Sequence, residues 1–115
     1  MYQGESGKNY LYIKDESGAT VSPLSFDNIE VRLVNSMTGA LLRKYSKVQQ
    51  QDFYLLQVTD SVVVFYIPST GTKFFQTGSL NVEVSLIKND VNYPDGKNVT
   101  KYKAELTQLN PANNG

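Results

Sequence analysis

Asp90, Asn92 and Asp95 fall close together beside Gly96, and side-chain oxygens so spaced can converge on a calcium ion. Their spacing departs from that of a helix-flanked calcium loop, and Pro94-Asp95-Gly96 is turn chemistry, so a hairpin turn rather than a metal site is expected there. Glu83 and Glu105 could act as a carboxylate pair for glycoside cleavage if neighbouring strands brought them to the two sides of one sugar. Both occupy polar positions of alternating stretches near Lys101 and Lys103, where carboxylates form solvated cross-strand pairs instead. Tyr10, Tyr12, Tyr45, Tyr54, Tyr66 and Tyr93 offer ring faces that suit the C–H surface of a pyranose, although such rings also fill cores and interfaces. Arg43, Lys44 and Lys47 form a local basic patch, expected as ordinary strand surface rather than a phosphate site. Asn98-Val99-Thr100 fits the glycosylation acceptor pattern, which has no role in a chain that stays in the cytoplasm.

The rest of the composition argues against catalysis. With no histidine and no cysteine, the commonest general base, the commonest metal ligand, thiolate chemistry and disulfides are all absent. Activating a nucleophile would rest on Lys, Tyr, Asp or Glu alone, so the chain is expected not to be an enzyme, with no catalytic residue, cofactor or metal. Eleven basic and eleven acidic residues balance, and no single-sign block points to nucleic acid or an anionic membrane. Neutrality points instead to protein or sugar partners. The opening MYQGESGKN has neither a basic flank nor an apolar core, which reads as a chain that stays in the cytoplasm where it is made. No apolar run is long enough to span a bilayer.

The elements that must position these residues are strands. Eight tyrosines, five phenylalanines and many valines, without a helical repeat of alanine, leucine and glutamate, favour an all-β chain. Residues 78–88 alternate Leu80, Val82, Val84 and Leu86 with Asn81, Glu83 and Ser85, a half-buried strand. Residues 99–106 repeat that period, with Tyr102, Ala104 and Leu106 opposite Lys101, Lys103 and Glu105, so the two form a hairpin with one apolar face to bury. Residues 27–35, with Ile29, Val31 and Leu33 on one side, are the expected opposing layer. Residues 8–14 are apolar or aromatic on both sides, which predicts a strand covered on both faces. Residues 19–24 allow a short extended piece limited by Pro23, and Leu41–Ser46 a strand of open register. A polar connection over 49–52 leads to a short strand over 53–58. Residues 62–67, apolar throughout and stopped by Pro68, predict a central strand buried on both faces. Residues 69–77 suit a single helical turn carrying one of Phe74 and Phe75 into the core. Residues 1–7 predict a flexible arm, 8–109 one domain, and 110–115 a disordered tail. About seven short strands separated by turns predict an antiparallel immunoglobulin-like β-sandwich, with a small barrel as the alternative.

Asp15-Glu16-Ser17-Gly18, Pro23-Leu24-Ser25 leading to Ile29, Val64 to Pro68, Gly78 to Glu83 and Asp95-Gly96 together form a pattern. It resembles the immunoglobulin-like domains of tailed-bacteriophage virion proteins, in particular the N-terminal domain of the baseplate upper protein family, over about residues 9–109. The motifs are mostly turn chemistry, and the chain departs from that family in having no fibre-forming segment after the sandwich. The resemblance implies a non-enzymatic structural protein of the tail, baseplate, collar or capsid, located in the virion and made in the host cytoplasm. It would dock onto other virion proteins and self-associate. A carbohydrate-binding or adhesion module is the alternative. Because a two-layer sandwich leaves one face of every strand outward, Val63, Phe65 and Ile67, or else Val62, Val64 and Tyr66, would meet water in a lone subunit. The interface is therefore expected to include Tyr2, on the arm, with Val63, Phe65, Ile67, Phe74 and Phe75.

Overall fold

In the computed structural model, residues 1–47, 56–69 and 77–109 are described. Seven strands run in chain order as β1 (Gly7–Leu11), β2 (Asn28–Asn35), β3 (Leu41–Ser46), β4 (Leu56–Val58), β5 (Val63–Ile67), β6 (Gly78–Asn89) and β7 (Lys97–Leu109). All pairings are antiparallel, in two sheets ordered β1-β5-β4 and β3-β2-β6-β7. This is an immunoglobulin-like β-sandwich. Its pairings correspond to strands B-E-D and C′-C-F-G of such domains, so the place of a first edge strand beside β1 is unfilled among the described residues.

The alternation of β6 does what it predicts: Leu80, Val82, Val84 and Leu86 are all buried. Beside them in the same sheet, Val31 lies opposite Val84 and Leu33 opposite Val82. Residues 27–35 are thus the hairpin's hydrogen-bonded neighbour and not its opposing layer. The opposing layer comes from Val63, Phe65 and Ile67 of β5, with Leu11 and Ile13 at one side. Alternation reports only that a strand has an inward face, and neighbours in one sheet share that face as surely as strands across the core do.

Phe65 packs against Tyr45 with ring centroids 5.7 Å apart, and the Tyr45 hydroxyl donates to the Tyr66 carbonyl at 2.8 Å, tying β3 of one sheet to β5 of the other. This contact sets the register of Leu41–Ser46, placing Tyr45 opposite Val31 and directing it inward. Asn35, almost fully buried, closes the β2–β3 turn: its Oδ1 accepts from the N–H groups of Met37 at 3.0 Å and Thr38 at 3.2 Å. The stretch expected to be extended around Pro23 instead holds a 3-10 turn, Pro23–Ser25, capped by the Ser22 hydroxyl, after a single bridge between Lys14 and Thr20.

Residues 1–7, expected as a free arm, contain a turn in which the Glu5 N–H donates to the Tyr2 carbonyl at 3.1 Å. Met1 packs on the core and crosses Gly7 so closely that a Cβ there would meet its terminal methyl at 2.8 Å. Residues 49–52, most of 53–58 and 69–77, and the tail 110–115 lie outside the described residues, so the expectations placed on them, including Tyr54, Phe74 and Phe75, do too.

Candidate docking site

The carboxylates first considered for chemistry are engaged in structure. In the β6–β7 loop, Asp90 Oδ1 accepts from the Asn92 N–H at 3.0 Å and Asp95 Oδ1 from the Lys97 N–H at 3.1 Å. The Asp90 N–H donates to the Gly96 carbonyl at 2.8 Å, and Gly96 has a φ of 75°, a conformation suited to glycine. The oxygens thus close a turn and do not converge. Glu83 and Glu105 share the outer face of the four-stranded sheet, but Glu83 lies 4.0 Å from Arg32 and opposite Lys103, while Glu105 lies opposite Asn81. With Lys44 3.6 Å from Glu30 on the same face, both carboxylates that line the wide depression of about 430 Å³ there, Glu30 and Glu83, face a cation, beside Lys97, Lys101 and Lys103 and the apolar Ile87 and Val99.

The tyrosines divide by strand parity. Tyr45 is core, whereas Tyr10 and Tyr66 stand on the outer face of β1 and β5 around Lys8, whose Nζ lies 5.3 Å and 5.6 Å from their ring centres. The Tyr10 side chain beside it, with Tyr66, raises the Lys8 pKa above the usual lysine value. Tyr2 and Tyr93 are exposed at separate places in the fold. The basic patch disperses: Arg43 lies over the Tyr45 ring at 5.6 Å, Lys44 pairs with Glu30, and Lys47 Nζ donates to the Phe26 carbonyl at 2.7 Å.

Of the residues expected at an interface, Val63, Phe65 and Ile67 point inward and are buried by the chain itself, so they present no surface. The reason is parity. Val63 and Ile67 sit opposite Leu11 and Gly7 on the inner side of β1, which leaves Val64 and Tyr66 outward beside Tyr10 and Lys8. Even there Val64 is buried, flanked by Tyr10 on β1 and Gln57 on β4.

An apolar opening lies elsewhere, on the inner side of the β6–β7 hairpin. The three-stranded sheet does not cover β7, so Tyr102 and Ala104 share the inward side of Val84 and Val82 yet remain exposed. The hairpin face expected to be wholly buried is therefore buried on β6 and open on β7. Across the opening Tyr12 is 61% exposed, and with Tyr10 at 53% this corrects the expectation that residues 8–14 are covered on both faces. Tyr12, Ile13, Val84, Leu86, Tyr102 and Ala104 enclose most of a groove of about 310 Å³. Lys14 and, at the edge of β7, Lys103 also line it, and among the described residues no carboxylate, amide or hydroxyl side chain other than the two tyrosines does. Such a groove can bury an apolar or aromatic segment. Sequence reading named Tyr102 and Ala104 as one apolar face and placed Tyr12 among the aromatics. No helix among the described residues is long and apolar enough to cross a membrane. Comparisons of the chain with protein-family models, with curated proteins and with solved structures give no match.

Proposed function

We propose that this chain is a non-catalytic docking module, a structural subunit of a phage or prophage particle that seats other virion proteins against the open side of β6 and β7. The observation that carries the docking role is the groove itself, an apolar floor at Val84 and Leu86 between two exposed tyrosines, Tyr12 and Tyr102. Exposed aromatic groups over an apolar floor are the usual anchors of protein interfaces. The virion setting is supported only by the resembling motifs, of which three fall at turns and two in strands β5 and β6: the Asp15 carboxylate gathers the Ser17 and Ala19 N–H groups, Pro23–Ser25 forms the 3-10 turn before β2, and Asp95-Gly96 lies in the β6–β7 loop. The test is incorporation. In particles purified after induction of the encoding strain, the chain should be present in regular copy number. The Tyr12→Ala/Tyr102→Ala chain should be depleted at unchanged Tm. Absence of the wild-type chain from particles would remove the virion role.

A sugar-binding role draws on the same two tyrosines. Sugar hydroxyls, however, are usually held by carboxylate or amide partners beside a stacking ring, and the described lining supplies only lysines and the two tyrosine hydroxyls. A glycan array is expected to be blank, and a signal abolished by Tyr102→Ala would favour this alternative.

A further inference from the structure

We propose that a second copy of this chain pairs antiparallel along β7, with the two-fold axis at Ala104, so that two four-stranded sheets become one continuous sheet. The inference deepens the docking reading and rests on it, naming the occupant of the open side. β7 ends its sheet, and among the described residues no strand lies beside it opposite β6. β7 is thirteen residues long, and an edge whose outward backbone groups face no strand among the described residues is a template for another strand.

The side chains select which strand and which register. Pairing with β6 directs Tyr102 and Ala104 inward and Lys101, Lys103 and Glu105 outward. In a continuous antiparallel sheet opposed residues keep the same face, so a two-fold axis must pass through a residue and not between two. An axis at Lys101 or Lys103 sets that lysine against itself, one at Tyr102 sets Lys101 against Lys103 twice, and one at Thr100 sets Lys97 against Lys103. Like charges directly opposed disfavour all four. An axis at Ala104 instead sets Lys103 against Glu105 of the second copy, twice, and Tyr102 against Leu106 of the second copy, twice, with no lysine facing a lysine. Both faces are then matched, charge to charge outside and apolar to apolar inside. The inward pairs fall on the uncovered side of β7, where the three-stranded sheet leaves room for a neighbour. The interface is isologous and closes as a dimer, which caps the edge instead of propagating it. The register shift between Leu80 and Asn81 places a bulge in β7 at Leu106, so the regular part of the new ladder is Lys103 to Glu105 and the Tyr102–Leu106 contacts close it at the bulge on either side.

The chain has no cysteine, so cross-linking gives a clean test. Across an antiparallel pair, opposed Cα atoms lie about 4.5–5.5 Å apart, within the span of a disulfide. Ala104→Cys should therefore form a covalent dimer under mild oxidation. Lys101→Cys, whose copies would lie six residues apart along the ladder, roughly 20 Å, should not. In sedimentation equilibrium Glu105→Lys should weaken the dimer by about tenfold or more, through two lysine–lysine contacts, and Lys103→Glu/Glu105→Lys should restore it. A wild-type chain that stays monomeric at high concentration, equal cross-linking at positions 101 and 104, or a double variant no tighter than Glu105→Lys would each overturn the pairing. Particles that incorporate an Ala104→Cys chain without cross-linking would also overturn it while leaving the docking reading intact.

Discussion

Two adjacent residues of β6 test the sandwich directly. Val84 is 3% exposed on the inner face, while Ser85 lies on the outer face opposite Glu30 on one side and Lys101 on the other. Val84→Asp forfeits about 1.5–3 kcal/mol of apolar burial. It also leaves a carboxyl group among Val31, Tyr102 and Leu86 without a partner, which adds roughly 1–3 kcal/mol even when neutral and more when charged. The sum, about 3–6 kcal/mol, is a large share of the roughly 5–15 kcal/mol expected for a domain of this size. At roughly 4 °C per kcal/mol it lowers Tm by about 12–24 °C. The loss must depend on pH. Burial raises the folded-state pKa of the new carboxyl above its unfolded value near ~3.9, so the variant is best preserved below that value and loses stability as pH rises through the folded pKa. Ser85→Asp, between one anion and one cation, should stay within about 0.5 kcal/mol of wild type at neutral pH. Thermal melts by circular dichroism at acid and neutral pH separate the cases. Equal melting temperatures for the two variants, or a Val84→Asp loss that does not grow with pH, would refute the register of β6.

Tyr45→Phe removes the hydrogen bond to the Tyr66 carbonyl that links the two sheets and should cost about 0.5–1.5 kcal/mol in urea titrations, with the ring contact to Phe65 retained. Asn35→Ala removes the buried acceptor of the Met37 and Thr38 N–H groups, which sit on exposed residues and can turn to water; a loss of about 0.5–1.5 kcal/mol per bond is expected, and no loss would show that the turn holds itself. The Asp15 carboxyl, held low chiefly by the Ser17 hydroxyl at 2.6 Å and then by the Ala19 N–H, should titrate below 3.8 by NMR, and Ser17→Ala should raise its midpoint. Because its folded pKa is depressed, whatever it adds to stability is present above the unfolded value and lost as pH falls through the folded one.

How much of this was legible in the sequence depended on whether a pattern decides between alternatives. The period of residues 78–88 has one solution, because a one-residue slip would expose Leu80, Val82, Val84 and Leu86 together, and the structure buries all four. The same period over residues 99–106 identifies a face but cannot say whether a layer lies above it. That depends on the width of the opposing sheet, which β1, β5 and β4 set from distant parts of the chain. The groove is a product of that mismatch between a three-stranded and a four-stranded sheet, so no local stretch encodes it.

Residues 62–67 show the opposite limit. With an apolar side chain at every position, alternation offers no choice of face, and the face is settled by neighbours: Phe65 meets Tyr45 of the facing sheet, and Leu11 lies opposite Val63 on the inner side of β1. That leaves Val64 outward, yet it is 7% exposed between Tyr10 and Gln57. An apolar run therefore does not oblige a sandwich to recruit a partner on that face, since cross-strand neighbours with long side chains can dry it. On the inner side of the hairpin, apolar surface is left at Tyr12, Tyr102 and Ala104, where among the described residues β7 has a strand on one side only, and under the proposed pairing a partner there would gain both a ladder of backbone hydrogen bonds and a face to cover.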